Sequence, residues 1–153
     1  MQKVLLHDSD KCTGCTFCMI ICAFSHFNFC DYEYSSIKIV DDPEQKGKFI
    51  ASYCSHCEYP ICEAACPKNA VKKDPQTGIV KINSMMCVGC KTCNVLCPIG
   101  VPWVHLNRRV SVKCDLCNGE PNCVRFCTSG ALKFVPRDEA RLKVAQQIKV
   151  GGK

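Results

Sequence analysis

Apolar residues along this chain come in short runs that alternate with polar and turn-forming residues. The clearest case is AVKKDPQTGIVKIN, residues 70–83, in which Val71 and residues 79–82 flank a polar segment from Asp74 to Gly78. Asp, Pro and Gly between two apolar runs are typical of a tight turn. The pattern therefore predicts a β-hairpin with a short strand on each side of that turn.

The last segment of the chain, residues 137–153, shows helical spacing. Its apolar positions fall on one side of a predicted helix: Ala140, Val144, Ala145 and Ile148. Pro136 precedes this helix, Lys149 lies near its end, and Gly151 is a predicted stop. An isolated helix of this length is marginal in water, so we expect it to pack on the domain or to dock on a partner chain.

The sequence contains no apolar run that approaches the length of a membrane span, so any membrane contact is expected to be made through a partner. Near the N-terminus only Val4, Leu5 and Leu6 form an apolar run before polar residues begin. That run is too short for the apolar region of a signal peptide. We therefore expect a cytoplasmic protein.

Composition adds the strongest constraint, because 17 of the 153 residues are Cys. A short chain this rich in thiols is expected to depend on cross-links or metal rather than on a large apolar core. Disulfides need an oxidising compartment, so clustered thiols in a cytoplasmic chain indicate metal.

Sixteen of the cysteines fall into four repeated motifs. These motifs are Cys12, Cys15, Cys18 and Cys22; Cys54, Cys57, Cys62 and Cys66; Cys87, Cys90, Cys93 and Cys97; and Cys114, Cys117, Cys123 and Cys127. Three closely spaced thiolates can surround one [4Fe-4S] cube, whereas zinc sites use paired Cys-x2-Cys knuckles. The spacing favours four [4Fe-4S] clusters, with a zinc-binding interaction module as the remote alternative.

The formal net charge of +6 raises the question of an acidic partner such as nucleic acid. Four [4Fe-4S] clusters with their thiolates would add roughly −8 when oxidised and about −12 when reduced, which explains the basic excess as counter-charge. In addition, no basic stretch is interleaved with aromatic residues as a nucleic-acid-binding face requires. We expect no nucleic-acid partner.

The fourth Cys of each motif is expected to begin a short helix and to serve a different cluster from the first three, as in bacterial ferredoxins. Motifs two and three are joined by the predicted hairpin and are followed by Pro67 and Pro98, which is typical of a complete two-cluster ferredoxin. Motifs one and four lack that Pro and are predicted to pair around the inner module. The expected fold class is α+β, with two nested ferredoxin-like modules that each hold two [4Fe-4S] clusters.

This nesting also predicts the division of the chain. Residues 1–47 and 107–136 are expected to form the two parts of the outer module, and residues 48–106 the inner module. Residues 137–153 are expected to be a C-terminal helix or tail that docks a partner.

Two segments carry a resemblance to a known family. CSHCEYPIC resembles the second motif of the four-cluster iron–sulfur subunits found with molybdopterin and tungstopterin enzymes, hydrogenases and carbon monoxide dehydrogenase. VKCDLCNGEPNCVRFCTSGAL resembles the fourth motif of the same family, although Thr128-Ser129 replaces the usual Pro-Thr. The resemblance spans residues 8–135. The segment CAFSHFNFCDYEYSSIKI and the short length look most like the polyferredoxin subunits that accompany tungsten aldehyde oxidoreductases.

The resemblance also implies which cysteines bind each of the four clusters. The four implied sets are Cys12, Cys15 and Cys18 with Cys127; Cys114, Cys117 and Cys123 with Cys22; Cys54, Cys57 and Cys62 with Cys97; and Cys87, Cys90 and Cys93 with Cys66.

The resemblance implies a non-catalytic electron-transfer subunit. The leading partner is a tungstopterin aldehyde oxidoreductase, with a further electron-transfer or flavin subunit as the acceptor. The alternative partner is a hydrogenase, carbon monoxide dehydrogenase or molybdopterin oxidoreductase. The sequence itself shows no nucleotide-binding Gly loop and no nucleophile or paired-carboxylate motif that indicates a substrate site.

Three further residues are candidates for supporting roles. Cys30 lies outside every motif and is expected to be a buried or incidental thiol. His56 lies between two predicted ligands, where a role in packing or in hydrogen bonding to them is expected. His26 is expected to anchor a loop.

Overall fold

The computed structural model describes residues 2–150, with side chains through residue 144. Within that range there are eight strands: β1 (Lys3–His7), β2 (Ile37–Asp41), β3 (Phe49–Tyr53), β4 (Val71–Lys73), β5 (Val80–Ile82), β6 (Trp103–His105), β7 (Val110–Val112) and β8 (Leu132–Pro136). The same range contains five α-helices: α1 (Phe17–Phe27), α2 (Ile61–Ala64), α3 (Thr92–Val95), α4 (Asn122–Arg125) and α5 (Arg137–Val150). This mixture agrees with the predicted α+β class.

The strands form four separate two-stranded antiparallel ribbons. Three are local hairpins, in which β2 pairs with β3, β4 with β5, and β6 with β7. The fourth joins the two ends of the chain, because β1 pairs with β8 from Lys3 opposite Pro136 to His7 opposite Leu132. Two-stranded ribbons are marginal alone, so each depends on what packs against it.

The hairpin predicted for residues 70–83 is confirmed. Val71 lies opposite Ile82, and the Asp74 N–H donates to the carbonyl of Ile79 at 2.9 Å. The Asp74 carboxylate accepts hydrogen bonds from the backbone N–H groups of Gln76 and Thr77, which holds the turn closed.

The expected position of the short helices is wrong. In motifs two, three and four, the helix carries the third cysteine (Cys62, Cys93 or Cys123) and ends before the fourth. Pro67 and Pro98 disfavour helical backbone at the residues before them, which are the fourth cysteines, and this fits helices that end before those cysteines in motifs two and three. In the first motif no Pro or Gly follows, and α1 continues through Cys18 and Cys22.

The core is small and includes cysteines. Leu5, Ile37 and Leu132 pack in one cluster with Cys18 and Cys123. This arrangement places thiols in the core beside apolar side chains, so we expect the fold to depend on what those thiols bind.

The C-terminal helix is confirmed over residues 137–150, whereas the predicted stop at Gly151 lies outside the described residues. Ala140 is 8% exposed and packs with Val4, Leu6 and Val135 from the β1–β8 ribbon. The helix therefore packs on its own domain at this position. Docking on a partner chain stays a prediction.

The predicted division at residues 47/48 falls between the two strands of the β2–β3 hairpin, and the division at 106/107 falls between β6 and β7. Only the division at 136/137 lies between two elements, β8 and α5, that are not strands of one hairpin. The nested division stays a prediction. No helix among residues 2–150 is long and apolar enough to cross a membrane.

Candidate metal centres

The first cavity joins the N-terminal motif to the end of the chain's last motif. It is lined by Cys12, Cys15, Cys18 and Cys127. Gly14 in this loop has φ +68°, and a Cβ there would lie 2.3 Å from the ring of Phe49. Only glycine gives the loop this tight path, which brings three thiols of the motif to one side.

A second cavity joins motifs two and three. Its lining includes Cys54, Cys57, Cys62 and Cys97, together with Val80 of β5 and the side chain of Lys113.

A third cavity joins the same two motifs, but here motif three supplies three thiols and motif two supplies one. It is lined by Cys66, Cys87, Cys90 and Cys93. Gly89 has φ +66°, and a Cβ there would lie 2.2 Å from the backbone oxygen of Arg109. Close packing of this loop against the β6–β7 turn thus requires glycine at position 89.

The fourth group consists of the four motif cysteines that line none of these three cavities: Cys22, Cys114, Cys117 and Cys123. The pKa of Cys123 is raised to about 12, first by burial and then by the neighbouring charges of Cys22 and Cys117. Cys114 is also close enough to Cys123 for their charges to interact. Cys22, Cys114 and Cys117 therefore each lie near Cys123.

Burial opposes ionisation of several of these thiols when no metal is bound. Burial and the neighbouring thiolates raise the pKa of Cys18 to about 12, and burial raises that of Cys62 to about 11. The pKa of Cys114 is also raised well above its usual value by burial. Because metals bind the thiolate, ligation here must displace protons, and the metal must supply the compensating positive charge.

Backbone N–H groups favour the thiolate form at other positions. Ala70 donates to Sγ of Cys66 at 3.2 Å and Leu132 donates to Sγ of Cys127 at 3.5 Å. Burial alone would raise the pKa of both thiols, but these and neighbouring N–H groups lower it. Similar contacts reach Cys22 from Ser36 (3.4 Å) and Cys87 from Ser111 (3.3 Å). Such hydrogen bonds stabilise charge on cluster sulfur and tune reduction potentials.

The donor chemistry fits [4Fe-4S] clusters. Each of the three described cavities brings four Sγ atoms together, and no Asp or Glu lines any of them within the described chain. Thiolate sets without carboxylates suit iron–sulfur clusters and other soft metal centres rather than hard cations. All 17 cysteines are free thiols in this structure, so disulfides do not consume the donors.

Cys30 and His26 both lie outside the four groups of thiols. Cys30 is exposed, which fits the expected incidental thiol rather than the buried one. His26 Nε2 lies 3.5 Å from the Asp115 carboxylate and 3.8 Å from Sγ of Cys117, next to a predicted ligand.

His56 is fully buried, and its Nδ1 accepts the N–H of Val80 at 3.0 Å. Burial, aided by the charges of Lys113 and Arg137, lowers its pKa to about 3 and keeps the ring neutral. Its backbone N–H donates to Sγ of Cys54 at 3.4 Å, which agrees with the expected packing role.

One residue at these centres was not anticipated. Lys113 is 7% exposed, and its ammonium group contacts Sγ of Cys54 at 3.3 Å. In the sequence, the burial of Lys113 is indicated only by its position in VKC, between the apolar Val112 and the predicted ligand Cys114.

Comparison with known proteins gives the family. A model of the 4Fe-4S dicluster domain matches residues 45–137. The chain is 31% identical to the hydrogenase-2 operon protein HybA of Escherichia coli O157:H7 over 179 aligned positions, which cover 94% of this chain and 55% of HybA. The chain thus spans about half the length of HybA.

Two shorter relatives are covered more completely. The thiosulfate reductase electron transfer subunit PhsB of Salmonella typhi is 31% identical, over 93% of this chain and 80% of PhsB. The polyferredoxin-like subunit of an aliphatic sulfonate oxidoreductase from Pyrococcus furiosus is 36% identical, over 86% of this chain and 76% of that protein. The resemblance predicted from the cysteine motifs is confirmed: the chain belongs to the 4Fe-4S dicluster domain family, whose cofactor is the [4Fe-4S] cluster.

Proposed function

We propose that this chain is a non-catalytic electron-transfer subunit that holds four [4Fe-4S] clusters. The proposed ligand sets are Cys12, Cys15, Cys18 and Cys127; Cys22, Cys114, Cys117 and Cys123; Cys54, Cys57, Cys62 and Cys97; and Cys66, Cys87, Cys90 and Cys93. The observation that carries the proposal is the gathering of four thiols around each of three cavities, every time three from one motif and one from another.

Nesting of two modules is supported by the packing of the elements. The β1–β8 ribbon joins the ends of the chain, and α1 of the first motif packs on α4 of the fourth. Likewise α2 of the second motif packs on α3 of the third. A sequential arrangement would instead bring Cys22 to the second motif, but its neighbouring thiols are Cys117 and Cys123.

A bound [4Fe-4S] cluster supplies one-electron transfer, and the protein provides spacing, hydrogen bonds and shielding. Burial of Cys18, Cys54, Cys93 and Cys123, one thiol from each set, limits the access of water. Conversely Cys15, Cys57 and Cys90 are exposed, so three of the sets reach the surface, where a redox partner can approach.

The partner is proposed to be the catalytic subunit of an oxidoreductase or hydrogenase. Among the relatives, one is named for a hydrogenase operon, one for thiosulfate reductase and one for an aliphatic sulfonate oxidoreductase. These names support the alternative partner, a hydrogenase, carbon monoxide dehydrogenase or molybdopterin oxidoreductase, better than a tungsten aldehyde oxidoreductase. The tungsten partner stays a prediction, as does a further electron-transfer or flavin subunit.

Anaerobic purification with metal and sulfide analysis tests the cofactor. Four clusters require about sixteen iron and about sixteen sulfide per chain, whereas a zinc protein would contain neither. Iron far below this amount after reconstitution, or zinc in its place, would overturn the proposal. Purification of the native complex, followed by electron exchange between its catalytic subunit and the reconstituted chain, tests the partner.

A further inference from the structure

Lys113 is a buried basic residue at the junction of the two proposed modules. It lies between β7 and the fourth motif and is the only buried Lys or Arg among residues 2–144. Its Nζ donates to Sγ of Cys54 at 3.3 Å, to the carbonyl of Cys114 at 2.9 Å, and to the carbonyl of Val80. The three acceptors match the three N–H donors of an ammonium group.

A buried cation is costly unless an anion lies close by. Four titratable groups interact with Lys113. They are the neutral ring of His56 and the thiols of Cys54, Cys62 and Cys114. No carboxylate forms an ion pair with Lys113 in the described part of the chain. The compensating negative charge must therefore come from the thiolates and the group they bind.

The position of this charge is selective. Lys113 contacts the sulfur of Cys54 and lines the cavity of Cys54, Cys57, Cys62 and Cys97, but it does not line the other two cavities. In the fourth set it bonds the backbone carbonyl of Cys114 and acts on that thiol through its charge, whereas its sulfur contact is with Cys54. Reduction adds one negative charge to a cluster, and a fixed positive charge in a poorly screened interior stabilises the reduced form more than the oxidised one. The effect decreases with distance, so the nearest cluster is affected most.

We propose that the positive charge of Lys113 raises the reduction potential of the cluster held by Cys54, Cys57, Cys62 and Cys97. This inference rests on the proposed function. The side chain comes from the proposed outer module and the thiol from the proposed inner one, so the charge lies between the two. The higher reduction potential makes this cluster a more favourable site for a transferred electron.

The test is a redox titration followed by electron paramagnetic resonance on the full chain. The signal of this cluster is identified first as the one lost in Cys57→Ala. In Lys113→Met we expect its reduction equilibrium to fall at least tenfold, a shift of about 59 mV to more negative potential for one electron. Lys113→Arg, which keeps the charge, is expected to recover most of that shift.

Lys73→Met is the matched control. Lys73 donates to the backbone carbonyl of Glu58 in the second motif at 2.8 Å, but it contacts no ligand sulfur. Removing this solvent-screened charge is expected to change the equilibrium less than threefold. An unchanged potential in Lys113→Met, or an equal shift of all four clusters, would overturn the inference.

A second measurement applies if Lys113→Met fails to assemble. Wild-type protein containing lysine labelled with ¹⁵N at Nζ should show a ¹⁵N hyperfine coupling to this reduced cluster, and Lys113→Arg should lack it. Absence of the coupling in the wild-type protein would contradict the contact. Wild-type protein that holds far less iron than four clusters require would instead overturn the proposed function, and the inference with it.

Discussion

Replacement of Cys22 tests the nesting of the two modules directly. Cys22 lies within α1, five positions after its first residue, and the neighbouring thiols that its charge reaches are Cys117 and Cys123. Alanine is the best helix former, so Cys22→Ala should leave α1 intact and remove only a ligand. The affected cluster should be that of the fourth motif, and the cluster of the first motif should be spared.

The magnitude follows from the proposed ligand set. A [4Fe-4S] cluster without one thiolate loses at least the iron that this thiolate held, and complete loss removes four, so iron should fall by about one to four per chain. Iron and sulfide analysis of anaerobically purified protein measures this loss. Cys30→Ala is the matched control, because Cys30 is exposed and lies outside all four groups. It should retain the full iron content.

Double variants identify the affected cluster without spectral assignment. Cys22→Ala combined with Cys117→Ala should lose no more than one cluster, because both thiols serve the same one. Cys22→Ala combined with Cys15→Ala should lose two, since independent sites add and shared sites do not. The reverse pattern, additivity with Cys117 and none with Cys15, would refute the nested arrangement.

Removing iron from the purified chain should unfold it, because the apolar core is small and metal binding supplies folding free energy. Unfolding is measured as loss of the far-ultraviolet circular dichroism signal, and an apo form that stays folded would contradict the prediction. Gly89→Ala should abolish the third cavity's cluster, because its Cβ would meet the backbone of Arg109 at 2.2 Å, whereas Gly100→Ala has a similar positive φ but open space and should retain iron. Burial raises the thiol pKa of Cys18 and Cys123 to about 12, so these thiols are protonated near pH 8 before a cluster binds. Cluster assembly must then release protons, and iron retention should weaken as the pH is lowered below that pKa. Proton release is measured in weakly buffered solution, and iron loss that increased toward alkaline pH would contradict the sign. All-Cys ligation predicts low-potential clusters that ascorbate leaves oxidised; reduction of most of them by ascorbate would contradict this.

The features that sequence analysis predicted correctly depend on neighbouring residues. The hairpin of residues 70–83 follows from a turn signal between two apolar runs, and the helix after Pro136 follows from apolar spacing. The [4Fe-4S] family is likewise visible in cysteines two and three residues apart. In each case the determining contacts lie within one turn or one loop, so local spacing is sufficient to reveal them.

Several features required the folded chain. The β1–β8 ribbon joins residues more than a hundred positions apart, and the three-residue run from Val4 to Leu6 gives no local signal for that partner. The placement of the short helices before the fourth cysteine was also missed, because thiol spacing alone does not determine where a helix ends.

By itself, the sequence determined the number and spacing of the cysteine motifs, the hairpin and the type of metal chemistry that they favour. Spacing left open which distant thiol joins each group; the family resemblance implied it, and the tertiary structure places those thiols around three shared cavities. Only the tertiary structure shows that a lysine ammonium is buried against Cys54. The reason is physical: three thiols of one motif are held together by a short loop, but the fourth is brought in by packing of α1 on α4 and of α2 on α3. Burial and charge at Lys113 likewise arise from three segments that meet only in the folded protein.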